Sequence, residues 1–160
     1  MADVVCVSSS SEQTRAIAGA LGAALRGGDV VVLSGDLGAG KTTFVQGAAD
    51  ALGVRANVTS PSFVLVREYA GRARIVHVDV YRLSSLQELI DLGYEELFAP
   101  DSITFIEWGD AVDELLPDAR FEVDLRTESE AERRITVRAR DEALRARLAG
   151  MLFERWAVPV

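Results

Sequence analysis

One stretch of the chain combines residue types that bind phosphate. Residues 35–42 read G-D-L-G-A-G-K-T and follow the apolar run 30–33. Glycines let the backbone curl around phosphate oxygens so that N–H groups point inward, and the helix that starts behind them adds its positive dipole end. In such a loop the Lys41 ammonium reaches the β and γ phosphates and the Thr42 hydroxyl ligates magnesium. The pattern therefore predicts a nucleotide-binding loop between a buried strand and a helix.

The basic residues of the chain support the same interpretation. Lys41 is the only lysine, whereas arginine occurs sixteen times. A compact ammonium fits between phosphates in a tight loop, and a planar guanidinium does not. The retention of lysine at this one position indicates that the loop requires its shape as well as its charge.

Acidic residues at strand ends are the next candidates for chemistry. The segment 75–80 follows a turn around Gly71, and we predict that it pairs with residues 63–66 as a β-hairpin. Strand alternation places His77 and Asp79 on one face of this strand. Glu107 ends the apolar run 103–106, as the carboxylate of a Walker-B strand does, and we favour it as the metal ligand. We expect Asp79 nearby, acting through water or as part of a switch.

Several polar residues have two interpretations each. The hydroxyls of Thr59, Ser60 and Ser62 lie in a segment with turn chemistry, which is either a loop that senses the γ-phosphate or an ordinary connection. His77 is a structural histidine or part of that switch, and Trp108 packs at the strand end or covers the site. Ser11 is a lip over the nucleotide or a helix start, and Arg133 approaches the nucleotide or faces solvent.

The remaining pattern describes the scaffold. A capping box at Ser9 and Glu12 predicts a helix that glycines 27 and 28 stop, and a second helix spans residues 41–52. Strands are predicted at 4–7, 121–125 and 135–137, and a helix at 141–155. The apolar tail 156–160 either folds back on the sheet, which we favour, or forms a partner surface.

Composition bounds the class of protein. A chain of 160 residues with 49% hydrophobic residues suits one folded domain, which we place at residues 1–160. The net charge of −8 argues against direct nucleic-acid binding by an extended basic face. The single cysteine, Cys6, lies in an apolar run and is expected to be buried. No signal peptide or membrane-spanning run is visible, so we expect a cytoplasmic protein.

Four blocks of sequence resemble the small bacterial ATPase family required for threonylcarbamoyladenosine formation in tRNA (the TsaE, or YjeE, family). They are G-D-L-G-A-G-K-T-T-F at 35–44, T-S-P-S-F at 59–63, H-V-D-V-Y-R at 77–82 and I-E-W at 106–108. The chain departs from the family pattern at Ser62, where threonine is more frequent, and at Gly109, where proline often follows the tryptophan.

The resemblance implies a fold and a function. The fold is α/β, a P-loop NTPase-like three-layer arrangement whose mixed sheet contains an antiparallel hairpin. The activity is ATP hydrolysis with magnesium in support of partner subunits TsaD and TsaB, so that tRNA is reached only indirectly. Matching motifs assign Thr42 and Glu107 to magnesium, and Lys41, Asp79 and Glu107 to catalysis. The implied nucleotide contacts are Ser11, Gly35, Gly38, Ala39, Gly40, Lys41, Thr42, Thr43 and Arg133.

Other functions remain open at this stage. A small-molecule kinase would share the loop and the size, although no dense arginine lid is visible. A nucleotide-gated binding module with negligible turnover would share the whole site. A regulatory GTPase is excluded by its base-reading N/T-K-x-D motif, which needs a second lysine.

Overall fold

Strands and helices alternate along much of the chain. The computed structural model describes residues 3–36, 38–59, 66–79, 90–91, 93–107, 116–151 and 153–158. Within these ranges lie β1 (Val4–Ser8), α1 (Ser11–Gly22), β2 (Val30–Gly35), α2 (Lys41–Ala51), β3 (Val66–Ala70), β4 (Arg74–Asp79), α3 (Tyr94–Leu97), β5 (Ser102–Glu107), β6 (Phe121–Thr127), β7 (Arg133–Ala139), α4 (Glu142–Ala149) and β8 (Ala157–Val158). In this described part of the chain, no helix has the length and apolar character needed to cross a bilayer.

The strands form one sheet in the order β3-β4-β5-β2-β6-β7-β1-β8. The pairs β4–β5, β5–β2 and β2–β6 are parallel, and the pairs outside this central group are antiparallel. Every residue of β5 is buried, as is typical of a strand covered on both faces. The mixed sheet and its β3–β4 hairpin confirm the predicted fold class.

Each face of the sheet buries its own apolar cluster. Leu21 of α1, Phe44 of α2 and Phe105 of β5 belong to the larger cluster, to which α4 also contributes. Val78 of β4 and Leu97 of α3 belong to the smaller cluster on the opposite face. The sheet is therefore the middle of three layers, and α1 and α2 cover the face that carries the larger cluster.

The first helix has different ends from those predicted. Ser10, not Ser9, is the N-cap, because its Oγ accepts a hydrogen bond from the backbone N–H of Gln13 at 3.1 Å. The helix ends at Gly22, well before the glycines at 27 and 28. Tight turns follow Gly22, and they bring Leu25 into the core, where it is buried. Leu25, which the helical pattern also places on the inner face, is therefore buried although the helix does not continue to it.

The hairpin forms as predicted, and its first strand ends later than predicted. Its turn lies at residues 71–73, where Gly71 N–H donates to the carbonyl of Ala73. The first strand begins at Val66 and continues to Ala70, and residues 63–65 lie outside the described ranges. The described strand continues beyond the predicted end at residue 66, because its exposed polar residues at positions 67 and 68 carry no apolar run.

The last helix is shorter than predicted. It ends at Ala149 instead of residue 155, with Gly150 as its C-cap. Ala157 and Val158 pair with β1, and Val7 N–H donates to the carbonyl of Trp156 at 3.1 Å. The chain must leave the helix to reach β1. Pairing of the tail with β1 therefore ends the helix before the helical spacing of apolar residues does. The prediction that the tail folds back on the sheet is confirmed for Ala157–Val158.

Candidate functional site

The predicted loop joins β2 to α2, and glycines give it its shape. Gly35 has a φ of 142°, and a Cβ there would lie 2.3 Å from the carbonyl oxygen of Leu125 on β6. Gly40 is the N-cap of α2, with a φ of 102° and no side-chain hydrogen bond capping the helix. The first N–H groups of a helix have no partner within the helix. The start of α2 therefore presents backbone donors of the kind that bind an anion.

Lys41 lies inside this loop. The residue is 6% exposed, and its Nζ donates hydrogen bonds to the carbonyl oxygens of Gly35 at 2.6 Å and Asp36 at 3.1 Å. Burial lowers the pKa of the ammonium from 10.5, and the charges of Glu107, Asp36 and Asp79 act in the opposite direction. Acidic groups from three parts of the chain therefore converge on the one lysine.

Two of these acidic groups come from the ends of neighbouring parallel strands. Asp79 on β4 is in register with Glu107 on β5, and Glu107 is in register with Leu33 on β2. Both carboxylate residues are buried, at 5% and 4% exposure. β2 leads directly into the loop. The carboxyl ends of β4 and β5 therefore place both acids beside the loop, as the sequence predicted.

His77 lies beneath Glu107. The residue is fully buried, and its Nε2 lies 2.5 Å from Oε2 of Glu107. Its Nδ1 is buried and makes no hydrogen bond to any described residue. His77 and Asp79 share a face of β4, as predicted, and Val76 and Val78 join the apolar cluster on the other face. The histidine therefore lies beside a candidate functional carboxylate.

A cleft of about 290 Å³ opens beside the loop. Its lining includes Ser11 at the start of α1, Thr43 on α2, and Arg133 on β7. The Arg133 guanidinium donates a hydrogen bond to the carbonyl of Gly38 at 3.5 Å. Ala39 and Gly40 also line this cleft. Ser11 and Arg133, the nucleotide-contact candidates that are far from the loop in sequence, therefore lie in the cleft beside it.

The predicted switch segment is described only at its first residue. Thr59 N–H donates to the hydroxyl of Tyr69 at 3.2 Å, which ties this residue to the hairpin. Ser60, Ser62 and Trp108 lie outside the described ranges.

Sequence reasoning missed a second anchor at this point. Gln46 on α2 donates from Nε2 to the carbonyl of Val58 at 2.8 Å. Gln46 stands four residues after Thr42, so both lie on the same side of α2. The hydrogen bond to Val58 ties this helix to the start of the switch segment, and no sequence pattern indicates it.

The donor set favours a metal that keeps most of its water. No group of three or more His, Cys, Asp or Glu side chains that could hold a metal occurs among the described residues. Magnesium is commonly held by one or two protein oxygens together with waters and substrate phosphates. The hydroxyl of Thr42 and the carboxylate of Glu107 fit that requirement.

A larger cleft of about 910 Å³ lies elsewhere, between α1, α2 and residues 54–58. None of the loop residues 35–43 lines it. Its size does not make it the candidate site, because Gly38, Ala39 and Gly40 of the loop line the smaller cleft and not this one.

Comparison with known proteins places the chain in a family. The sequence model of the family described as "Threonylcarbamoyl adenosine biosynthesis protein TsaE" matches residues 8–135. A relative from Treponema pallidum (strain Nichols), described as "tRNA threonylcarbamoyladenosine biosynthesis protein TsaE", is 42% identical over 132 residues, which are 82% of this chain and 98% of that protein. A relative of the same description from Bacillus subtilis (strain 168) is 41% identical over 129 residues, 80% of each chain.

A solved structure agrees with this assignment. The crystal structure of Bacillus subtilis YdiB superposes with a TM-score of 0.81 at 33% sequence identity, over 93% of this chain and 94% of that one. Family match, relatives and fold therefore coincide over most of the chain. The chain belongs to the TsaE family, and its role lies in the biosynthesis of threonylcarbamoyladenosine in tRNA.

Proposed function

We propose that this protein binds ATP with Mg²⁺ and hydrolyses it in support of tRNA modification. The observation that carries the proposal is the buried Lys41 ammonium within a glycine-shaped loop, faced by Glu107 and Asp79. Phosphoryl transfer depends on positioning and on electrostatic stabilisation, and this arrangement supplies both.

We assign a separate role to each part of the site. Backbone N–H groups of residues 38–43 bind the phosphate oxygens, and Lys41 neutralises charge on the β and γ phosphates. Thr42 and Glu107 hold Mg²⁺, which when bound polarises the phosphoryl group. Asp79 orients the attacking water, since it adjoins Glu107 in register. Ser11 and Arg133 line the cleft beside the loop and contact the nucleotide there.

The switch segment connects this site to partner subunits. We propose that bound ATP orders residues 59–62 and favours docking on TsaD and TsaB, and that hydrolysis releases this contact. The anchors at Val58 and Thr59 support a hinge at this point. The net charge of −8 agrees with a cytoplasmic protein that reaches tRNA through partners rather than by direct contact.

The test compares turnover with and without those partners. We expect the isolated protein to bind Mg·ATP but to hydrolyse it far more slowly than the median enzyme rate of about 10 per second. Addition of TsaD and TsaB should raise hydrolysis, and a non-hydrolysable ATP analogue should fail to support repeated modification of tRNA. Absence of ATP binding by calorimetry, or full modification with the analogue, would contradict the proposal. Phosphorylation of a small metabolite would identify a kinase instead.

A further inference from the structure

We propose that His77 is a positioning residue that fixes the orientation of the Glu107 carboxylate towards the loop. This inference rests on the proposed ATPase function, because it assigns a role to a neighbour of the proposed metal ligand. The imidazole touches neither the loop nor a phosphate in this assignment. It acts only through Glu107.

The sheet register supplies the geometry. His77 on β4 is opposite Phe105 on β5, and Glu107 stands two residues further along β5 on the same face. The imidazole therefore reaches diagonally across the strand pair, where Nε2 lies 2.5 Å from Oε2. That contact engages only one of the two carboxylate oxygens. It limits rotation of the Glu107 side chain and leaves the other oxygen outside the pair.

Packing alone does not explain a histidine at this position. The side chain is fully buried, and its Nδ1 has no hydrogen-bond partner among the described residues. A buried polar atom without a partner costs stability, and an apolar side chain of similar size would avoid that cost. The contact that does account for an imidazole here is the one between Nε2 and Glu107. Groups that orient metal-ligating side chains act in this way in other metal sites.

Two amide variants separate the nitrogen atoms of the ring. The amide nitrogen of His77→Gln can occupy the place of Nε2, whereas that of His77→Asn lies near the place of Nδ1. We expect H77Q to keep partner-stimulated ATP hydrolysis within about threefold of the unmodified protein. H77N should lower kcat by roughly 10- to 100-fold, the usual effect of losing such an orienting partner. The KM for ATP should change little, because the loop makes the phosphate contacts.

A matched control removes stability without touching Glu107. Val78 is fully buried on the same strand and faces the opposite cluster. Val78→Ala should lower the melting temperature while leaving kcat unchanged. If V78A, at a melting temperature as low as that of H77N, loses as much activity as H77N, or if H77Q is as impaired as H77N, the positioning role is wrong.

Crystal structures of the H77Q and H77N proteins give a readout that does not require hydrolysis. We expect the Glu107 carboxylate to keep its position in H77Q and to rotate away in H77N. An unmoved carboxylate in H77N would overturn the inference whatever the activity. If the unmodified protein shows no ATP hydrolysis even with its partners, the proposed ATPase function is refuted, and a rotated carboxylate in H77N would still sustain the positioning role.

Discussion

Substitution of Lys41 by arginine or by methionine separates the shape of this side chain from its charge. The ammonium lies 2.6 Å from the carbonyl oxygen of Gly35 in a residue that is only 6% exposed. A guanidinium is wider and planar, so it cannot take the same place between the loop and a phosphate. Lys41→Arg retains the positive charge beside Glu107 and Asp79, whereas Lys41→Met removes it.

The expected magnitudes follow from these contacts. A hydrogen bond to a charged group contributes about 1.5–3 kcal/mol, and about 1.4 kcal/mol corresponds to a tenfold change in affinity. K41M should therefore bind Mg·ATP roughly 10- to 150-fold more weakly, and K41R should also lose at least about tenfold. Without nucleotide, K41M should be less stable by about 1–3 kcal/mol, because loop carbonyls lose their donor and nearby carboxylates lose a cation. K41R should be closer to the unmodified protein.

Isothermal titration calorimetry with Mg·ATP measures the affinity, and urea unfolding without nucleotide measures the stability. Arg26→Met is the matched control for loss of one positive charge, since exposed Arg26 precedes β2 and lies at the end of that strand opposite the loop. It should bind ATP as the unmodified protein does. Affinity of K41R equal to that of the unmodified protein would refute the requirement for an ammonium in this loop.

Three further substitutions test other parts of the structure. Gly35→Ala places a Cβ against the Leu125 carbonyl at a φ of 142°, so urea unfolding should show a loss of about 1–3 kcal/mol, and an unchanged midpoint would contradict the geometry. Burial raises the pKa of the Cys6 thiol from 9.0 to about 11, so iodoacetamide at pH 8 should modify it only in the unfolded protein. The thiol of the unfolded protein ionises at a lower pH than the buried thiol. The stability that the neutral buried thiol contributes is therefore complete below pH 9 and falls by about 2–3 kcal/mol up to pH 11. The Cys6→Val variant should lack this part of the fall in stability. Arg147→Met removes the paired contacts at 2.8 and 2.6 Å to the buried Asp29 and should cost about 3 kcal/mol in chemical denaturation. The double variant with Asp29→Asn should recover part of that loss, and equal stability of the single and double variants would contradict the pairing.

Elements with a strong local pattern were predicted well. The run 30–33, the helix after the loop and the strand ending at Glu107 lie where the sequence placed them, because continuous burial leaves a continuous apolar pattern. The ends of α1 and α4 were not predicted correctly. Helix α1 ends at Gly22 and turns carry the chain to a buried Leu25, and pairing of Ala157 with Cys6 accompanies the early end of α4.

The residues of the candidate site likewise include some that the sequence indicated and others that it did not. Position and spacing indicated Asp79, Glu107 and the loop as candidates, but the anchor from Gln46 to Val58 was missed. A hydrogen bond from a helix to a loop carbonyl depends on how the two segments pack, and the identities of the two residues do not predict it. The roles of the candidate residues remain predictions for the experiments described above.

The loop and the identity of its cation could be predicted from the order of amino acids alone. Glycine conformations, a single lysine and a helix start are consecutive in the chain, so local chemistry is enough to specify them. Packing between distant segments places β5 between β4 and β2, and it thereby brings His77 to Glu107 and both carboxylates to where their charges act on Lys41. Strand order is fixed by hydrogen bonds and packing between segments distant in sequence, which the periodicity of any one strand does not encode.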